Sequence, residues 1–265
     1  MSVSGLERAV LRDQLIVSTG LVVIAALSWI YLFRMSAMMN ADAAEAAMHA
    51  AMGMTMPGRD APWLTEFAGL WVMWAVMMAA MMLPSAAPMA LLVLGVYRRR
   101  DNRRASLSGG LFVAGYLLIW TFFSAAAAGV QIWLRQASLL SADMATTSRT
   151  VAGVFLIGAG VYQWLPIKAA CLTHCRSPLT FLSRHWREGH GGALSLGLRH
   201  GGFCVGCCVA LMGLLFVAGV MNLLWVSAIA AFVLIEKLLS RGLALSRIGG
   251  ALLVIWGACV MLLSA

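Results

Sequence analysis

HGGFCVGCCVALMGLLFVAGVM, residues 200–221, sets the class of this protein. The stretch carries no Asp, Glu, Lys or Arg and is long enough to cross a hydrocarbon core of roughly 30 Å. Leu, Val and Ala suffice for crossing lipid, yet Cys204, Cys207 and Cys208 crowd into it. Thiols placed this densely in an apolar helix point to soft-metal or redox chemistry.

The rest of the chain has the same apolar character. Of its 265 residues, 62% are hydrophobic and 11% charged, where a soluble domain carries about 25% charged residues. Mean hydropathy is +0.89. The fold predicted is all-α, a polytopic transmembrane bundle of about seven helices forming a single membrane domain over 1–265. The spanning segments fall near 13–33, 68–95, 108–134, 149–167, 200–219, 221–239 and 246–263. The first apolar run begins near Leu15 and has no small-residue cleavage pattern after it, so it reads as a transmembrane helix rather than a removable signal. The fifth and sixth segments meet around Val220 to Asn222 as a tight hairpin. If they formed one re-entrant unit, the C-terminus would change sides.

The net charge of +9 does not point to nucleic acid, because no basic stripe interleaves with aromatic residues. It marks loops instead. Arg8 and Arg12, the run Arg98, Arg99, Arg100, Arg103 and Arg104, then Lys168, Arg176, Arg184, Arg187 and Arg199, and finally Lys237, Arg241 and Arg247 share one side. The other side holds only Arg34, Arg59, Arg135 and Arg149. The positive-inside rule places the N-terminus in the cytoplasm. Two connections are large: an outer Met/His-rich loop at 34–67 and a basic cytoplasmic loop at 168–199.

Four groups of residues could carry chemistry. In the fifth segment, His200, Cys204, Cys208 and Met212 recur every four residues and share a helix face, with Cys207 beside them. Sulfur and imidazole at this spacing suit Cu(I) or Zn(II); the alternative is close helix packing around Gly202 and Gly206. Upstream, Cys171 and Cys175 form a second pair on the same side of the membrane, in basic surroundings that favour thiolate. The second segment carries Met77 and Met81 in a methionine-rich helix. There Pro84 and Pro88 are expected to kink or locally unwind the chain; such methionines are also ordinary core filler. In the outer loop, MHAAMGMTMPG places His49, Met52 and Met54 together. Thioethers there would bind Cu(I) in an oxidising space without forming disulfides, or the stretch is an amphipathic helix lying on the membrane. Glu236 and Lys237 close the sixth segment, at a depth where charge is costly unless paired or functional.

The stretches MWAVMMAAMMLPSAAPM (73–89), KAACLTHCRSPLTF (168–181), HGGFCVGCCVALM (200–212) and IEKLL (235–239) stand in an order that resembles a bacterial family of predicted metal-binding integral membrane proteins. The family is catalogued as domain of unknown function 2182, and its members are sometimes labelled copper chaperones. The resemblance covers roughly 70–260. It implies a multi-pass protein of the bacterial inner membrane with a metal site on Cys171, Cys175, Cys204, Cys207 and Cys208, and it singles out Met77, Met78, Met81, Met82 and Glu236.

The expected function is therefore Cu(I) binding in the inner membrane, in copper transfer, delivery or homeostasis, with zinc as the other candidate metal. The expected partners are the lipid bilayer and a copper chaperone or copper enzyme. No nucleotide loop, nucleophile triad or pair of catalytic carboxylates is evident, so the chain reads as a non-enzyme. The competing readings are a membrane thiol–disulfide oxidoreductase or electron carrier, for which Cys204, Cys207 and Cys208 are suited, and a non-catalytic assembly subunit of a membrane complex.

Overall fold

A computed structural model describes residues 3–52, 62–100, 105–140, 146, 148–239 and 241–263. These form ten helical segments: α1 (Val3–Ala51), α2 (Trp63–Arg100), α3 (Ala105–Gln136), α4 (Arg149–Tyr162), α5 (Pro166–Arg176), α6 (Pro178–His185), α7 (Gly189–Gly213), α8 (Leu215–Ala218, a single turn), α9 (Leu223–Leu238) and α10 (Gly242–Leu262). The described residues include no strand, only an isolated bridge between Leu140 and Thr146. An all-helical chain follows from the apolar composition, since a helix satisfies its own backbone groups in lipid.

The expectation of about seven spanning helices is corrected. Five stretches among the described residues are long and apolar enough to cross: Gln14–Asp42, Trp63–Arg99, Ala105–Gln136, Gly189–Ala218 and Gly242–Leu262. A sixth is reached only if α4 and α5, bent by 63° at their junction, count as one span. Pro166 causes that break, because proline opens a helix readily and cannot continue one. α9 has 16 residues and extends about 24 Å, short of a core of roughly 30 Å.

The loops also differ from expectation. Residues 34–51 of the expected outer loop continue α1. The expected inner loop at 168–199 folds into most of α5, all of α6 and the first turns of α7. α2 runs unbroken through Pro84 and Pro88.

α3 is the centre of the bundle, packed between α2 and α7. Its approach to α7 depends on Gly115, where an added Cβ would stand 2.5 Å from the Leu194 carbonyl oxygen. α1 and α10 turn Leu15, Val22, Leu27, Leu252 and Ile255 outward, as lipid-facing helices do. Contacts between loops sort the helix ends into two groups. At one end Glu66 pairs with Arg135, Ser36 Oγ donates to the Met221 carbonyl, and Arg149 donates to the Leu263 carbonyl at 3.3 Å. At the other, Tyr97 donates to the Arg187 carbonyl at 2.7 Å and Arg176 to the Leu239 carbonyl at 2.5 Å.

Candidate metal centre

α7 presents the thiols. Cys204 and Cys208 lie one turn apart with Cys207 beside them, and all three are at most 1% exposed. α5 crosses over this face and brings in a fourth sulfur: the Cys175 thiol hydrogen-bonds the side chains of Cys204 and Cys207. Cys207 Sγ donates to the Cys204 carbonyl at 3.1 Å and lies 3.3 Å from Cys208 Sγ. Cys204 and Cys208 are both free thiols, close enough for their side chains to interact. Two helices separated by the short α6 thus make one four-thiol cluster.

Three further helices close around it. Lys237, in α9, extends its ammonium to Cys204 Sγ at 2.9 Å and to Ser85 Oγ in α2 at 3.0 Å. Tyr116 of α3 places its hydroxyl 3.1 Å from Cys204 Sγ and 3.2 Å from the Met82 carbonyl. Beside the cluster, the fully buried Lys168 and Glu236 pair at 2.7 Å. Lys168 also donates to Gln163 Oε1, which accepts from Ser246 Oγ at 2.9 Å. This network ties α5 to the C-terminal end of α9 and so seats Cys175.

The donor set fits a soft ion: four thiols are the ligands that Cu(I) and Zn(II) prefer. The sulfurs hydrogen-bond one another. Among the described residues no group of three or more His, Cys, Asp or Glu side chains is arranged so that it could hold a metal ion as it stands. An incoming ion would replace S–H contacts by metal–sulfur bonds.

The other sequence-predicted residues divide. Cys171 stands apart from the four: its Sγ packs over Gly206, where an added Cβ would meet it at 2.8 Å. His200 is 3% exposed, one turn before Cys204, and its ring sits among Phe112, Tyr116 and Phe181 at centroid distances of 5.5–5.7 Å. Its Nδ1 is buried with no hydrogen-bond partner. Met212, Met77 and Met81 are buried in the bundle. His49 pairs with Glu45 at 3.6 Å and Met52 is exposed. Ser36 already touches the α8–α9 turn, and His49 is about 20 Å further along α1, so the structure does not bring His49 and Met52 to the thiols. Met54 lies outside the described residues.

Sequence reasoning missed Tyr116, which nothing in its apolar helix announces, and Lys168, which reads as one of many loop cations. Lys237 had a visible signal, a charge closing an apolar helix.

A family model described as PpoB2, copper chaperone, matches residues 71–260. No curated protein and no solved structure matches the chain. The matched region contains all four clustered cysteines, Lys237, Tyr116 and Cys171, and leaves out His49, Met52 and Met54.

Proposed function

Because the chain belongs to the PpoB2 copper chaperone family, we propose that it carries Cu(I) as cargo on Cys175, Cys204, Cys207 and Cys208 and delivers it to a copper protein. The observation that carries this reading is the four-thiol cluster, three of its members buried, with the Lys237 ammonium 2.9 Å from Cys204 Sγ. Charge decides between metals. Cu(I) held by two of these cysteines as thiolates, the other two staying protonated thiols, bears one net negative charge, which Lys237 neutralises. Zn(II) held by four thiolates bears two, leaving one unmatched. A buried uncompensated charge costs several kcal/mol, so Cu(I) is the better occupant. The neighbouring Lys168–Glu236 pair is neutral overall and leaves this balance unchanged.

The protein sits in the bacterial inner membrane with its N-terminus in the cytoplasm, a placement supported by the distribution of arginine and lysine. It works as a carrier rather than an enzyme. His200 and Met212 flank the thiols on the same helix face, where they would shape the site. Met77 and Met81 serve the packing of α2.

Thiol–disulfide exchange is the second reading, favoured by the 3.3 Å contact between Cys207 Sγ and Cys208 Sγ. Metal analysis of anaerobically purified protein separates the two. About one copper per chain, lost in the Cys204→Ser/Cys208→Ser variant, is the expected result. Metal-free protein with thiols oxidised in pairs would replace the carrier reading with exchange chemistry. Zinc at the same stoichiometry would overturn the charge argument.

A further inference from the structure

Cys204, Cys207 and Cys208 are buried and Cys175 is half-buried, so cargo needs a place to arrive. An open pocket of about 430 Å³ is lined by Cys171, His185, Arg199, Gly202 and Phe203. α5, α6 and α7 each contribute to it. Cys171 is half-buried and its thiol is free. His185 Nδ1 lies 3.0 Å from the Phe181 carbonyl. A carbonyl can only accept, so Nδ1 carries the proton in that bond and Nε2 is the ring nitrogen left to meet a ligand. A ring hydrogen bond of this kind is what orients a metal-ligating histidine. The exposed Arg199 adds a fixed positive charge.

We propose that this cavity is a loading port that receives Cu(I) as its complex with a small anionic thiol, Arg199 holding the anion while Cys171 and His185 take the metal. The proposal rests on the Cu(I) reading above and adds the form in which the cargo arrives. The volume falls in the range of small-ligand pockets, about 300–1,000 Å³. A guanidinium recognises a carboxylate in a planar, two-pronged geometry. Two donors, one thiolate and one imidazole, are enough for a soft monovalent ion in transit.

The exchange balances without redox change. Cys171 gives its proton to one departing carrier thiolate as a Cu–S bond to Cys171 replaces the Cu–S bond to that carrier, His185 displaces the second carrier, which leaves as its thiolate anion, and the metal remains Cu(I). Cys175 follows Cys171 by one helical turn, roughly 6 Å between Cβ atoms, and its thiol already contacts Cys204 and Cys207. A second exchange of the same kind then passes the ion inward. Gly206 lets the Cys171 sulfur lie against the α7 backbone on this route.

The test is stopped-flow loading of the detergent-solubilised full chain, anaerobically, with Cu(I) supplied as its mercaptoacetate or its cysteamine complex. These carriers are similar in size and opposite in charge. Final copper stoichiometry is read in parallel. Loading from mercaptoacetate is expected to be about tenfold faster in the wild type, the scale on which a rim charge alters association. Arg199→Gln should erase that preference, and Cys171→Ser should slow loading about tenfold or more at unchanged final stoichiometry. Equal rates from both carriers in the wild type, or wild-type rates in Cys171→Ser, would overturn the port. Loss of stoichiometry in Cys171→Ser would also overturn it, by placing Cys171 in the tight site. A wild type that binds no copper from either carrier would overturn the Cu(I) reading itself.

Discussion

Lys237 bridges Cys204 Sγ and Ser85 Oγ, and its value lies in the charge it sets beside sulfur. A hydrogen bond to a charged group contributes about 1.5–3 kcal/mol. Lys237→Met should therefore weaken Cu(I) binding by about one to two powers of ten, measured by competition with a chromophoric Cu(I) chelator. Wild-type affinity in that variant would remove Lys237 from the site. The same substitution should leave helical content unchanged, because Met suits a buried helical position as well as the aliphatic stem of Lys does. Of the two charges that close α9, Glu236 pairs with Lys168, whereas Lys237 reaches Cys204 Sγ.

Among the helices, the broken pair α4–α5 has the largest consequence for the site. A straight continuation of α4 would carry residues 166–176 away from α7. The 63° bend at Pro166 instead lays α5 across α7 and delivers Cys175. α4 is in turn held by α10 through close glycine contact: an added Cβ at Gly160 would stand 2.6 Å from the Gly250 carbonyl oxygen, whereas at Gly158 nothing lies within 4 Å. Gly160→Leu should cost about 1–3 kcal/mol by overpacking, lowering the Tm in detergent, while Gly158→Leu should leave it near the wild-type value. Equal behaviour of the two variants would disprove the close α4–α10 seam. Loss of the seam should also loosen α5 and weaken Cu(I) retention, since the Gln163–Ser246 bond joins the α4–α5 junction to α10.

Over the whole molecule, contacts group Ser36, Glu66, Arg135, Arg149, Met221 and Leu263 at one end of the bundle. Tyr97, Arg176, Arg187 and Leu239 gather at the other. α9 is too short to count as a span on length alone, yet it connects the two ends. The C-terminal residues therefore lie at the end opposite the arginine-rich one. On the proposal that the arginine-rich end faces the cytoplasm, an alkaline phosphatase fused after Ala265 should be active and one fused ahead of Met1 inactive. An inactive C-terminal fusion in a stably produced protein would reverse that arrangement. The large apolar surfaces of α1 and α10 need no partner protein to explain them, because lipid covers such faces.

Composition and local spacing were enough to establish helices, membrane, the thiol face of α7 and the odd pair of charges closing α9. Hydropathy and the 3.6-residue period are properties of short windows, and they survive any arrangement of the helices around them. Spacing also joined Cys171 to Cys175 as one pair, because i and i+4 share a face. Only packing separates them: the bend at Pro166 aims Cys175 at Cys204 and leaves Cys171 over Gly206 beside an open cavity. Tyr116, Ser85 and Lys168 acquire their roles only because α2, α3 and α5 meet there. No window of sequence contains a contact between residues 88 or 152 positions apart. Which thiols share a site, and which charge stands beside them, is decided by long-range packing of helices, and that is a property of the folded bundle alone.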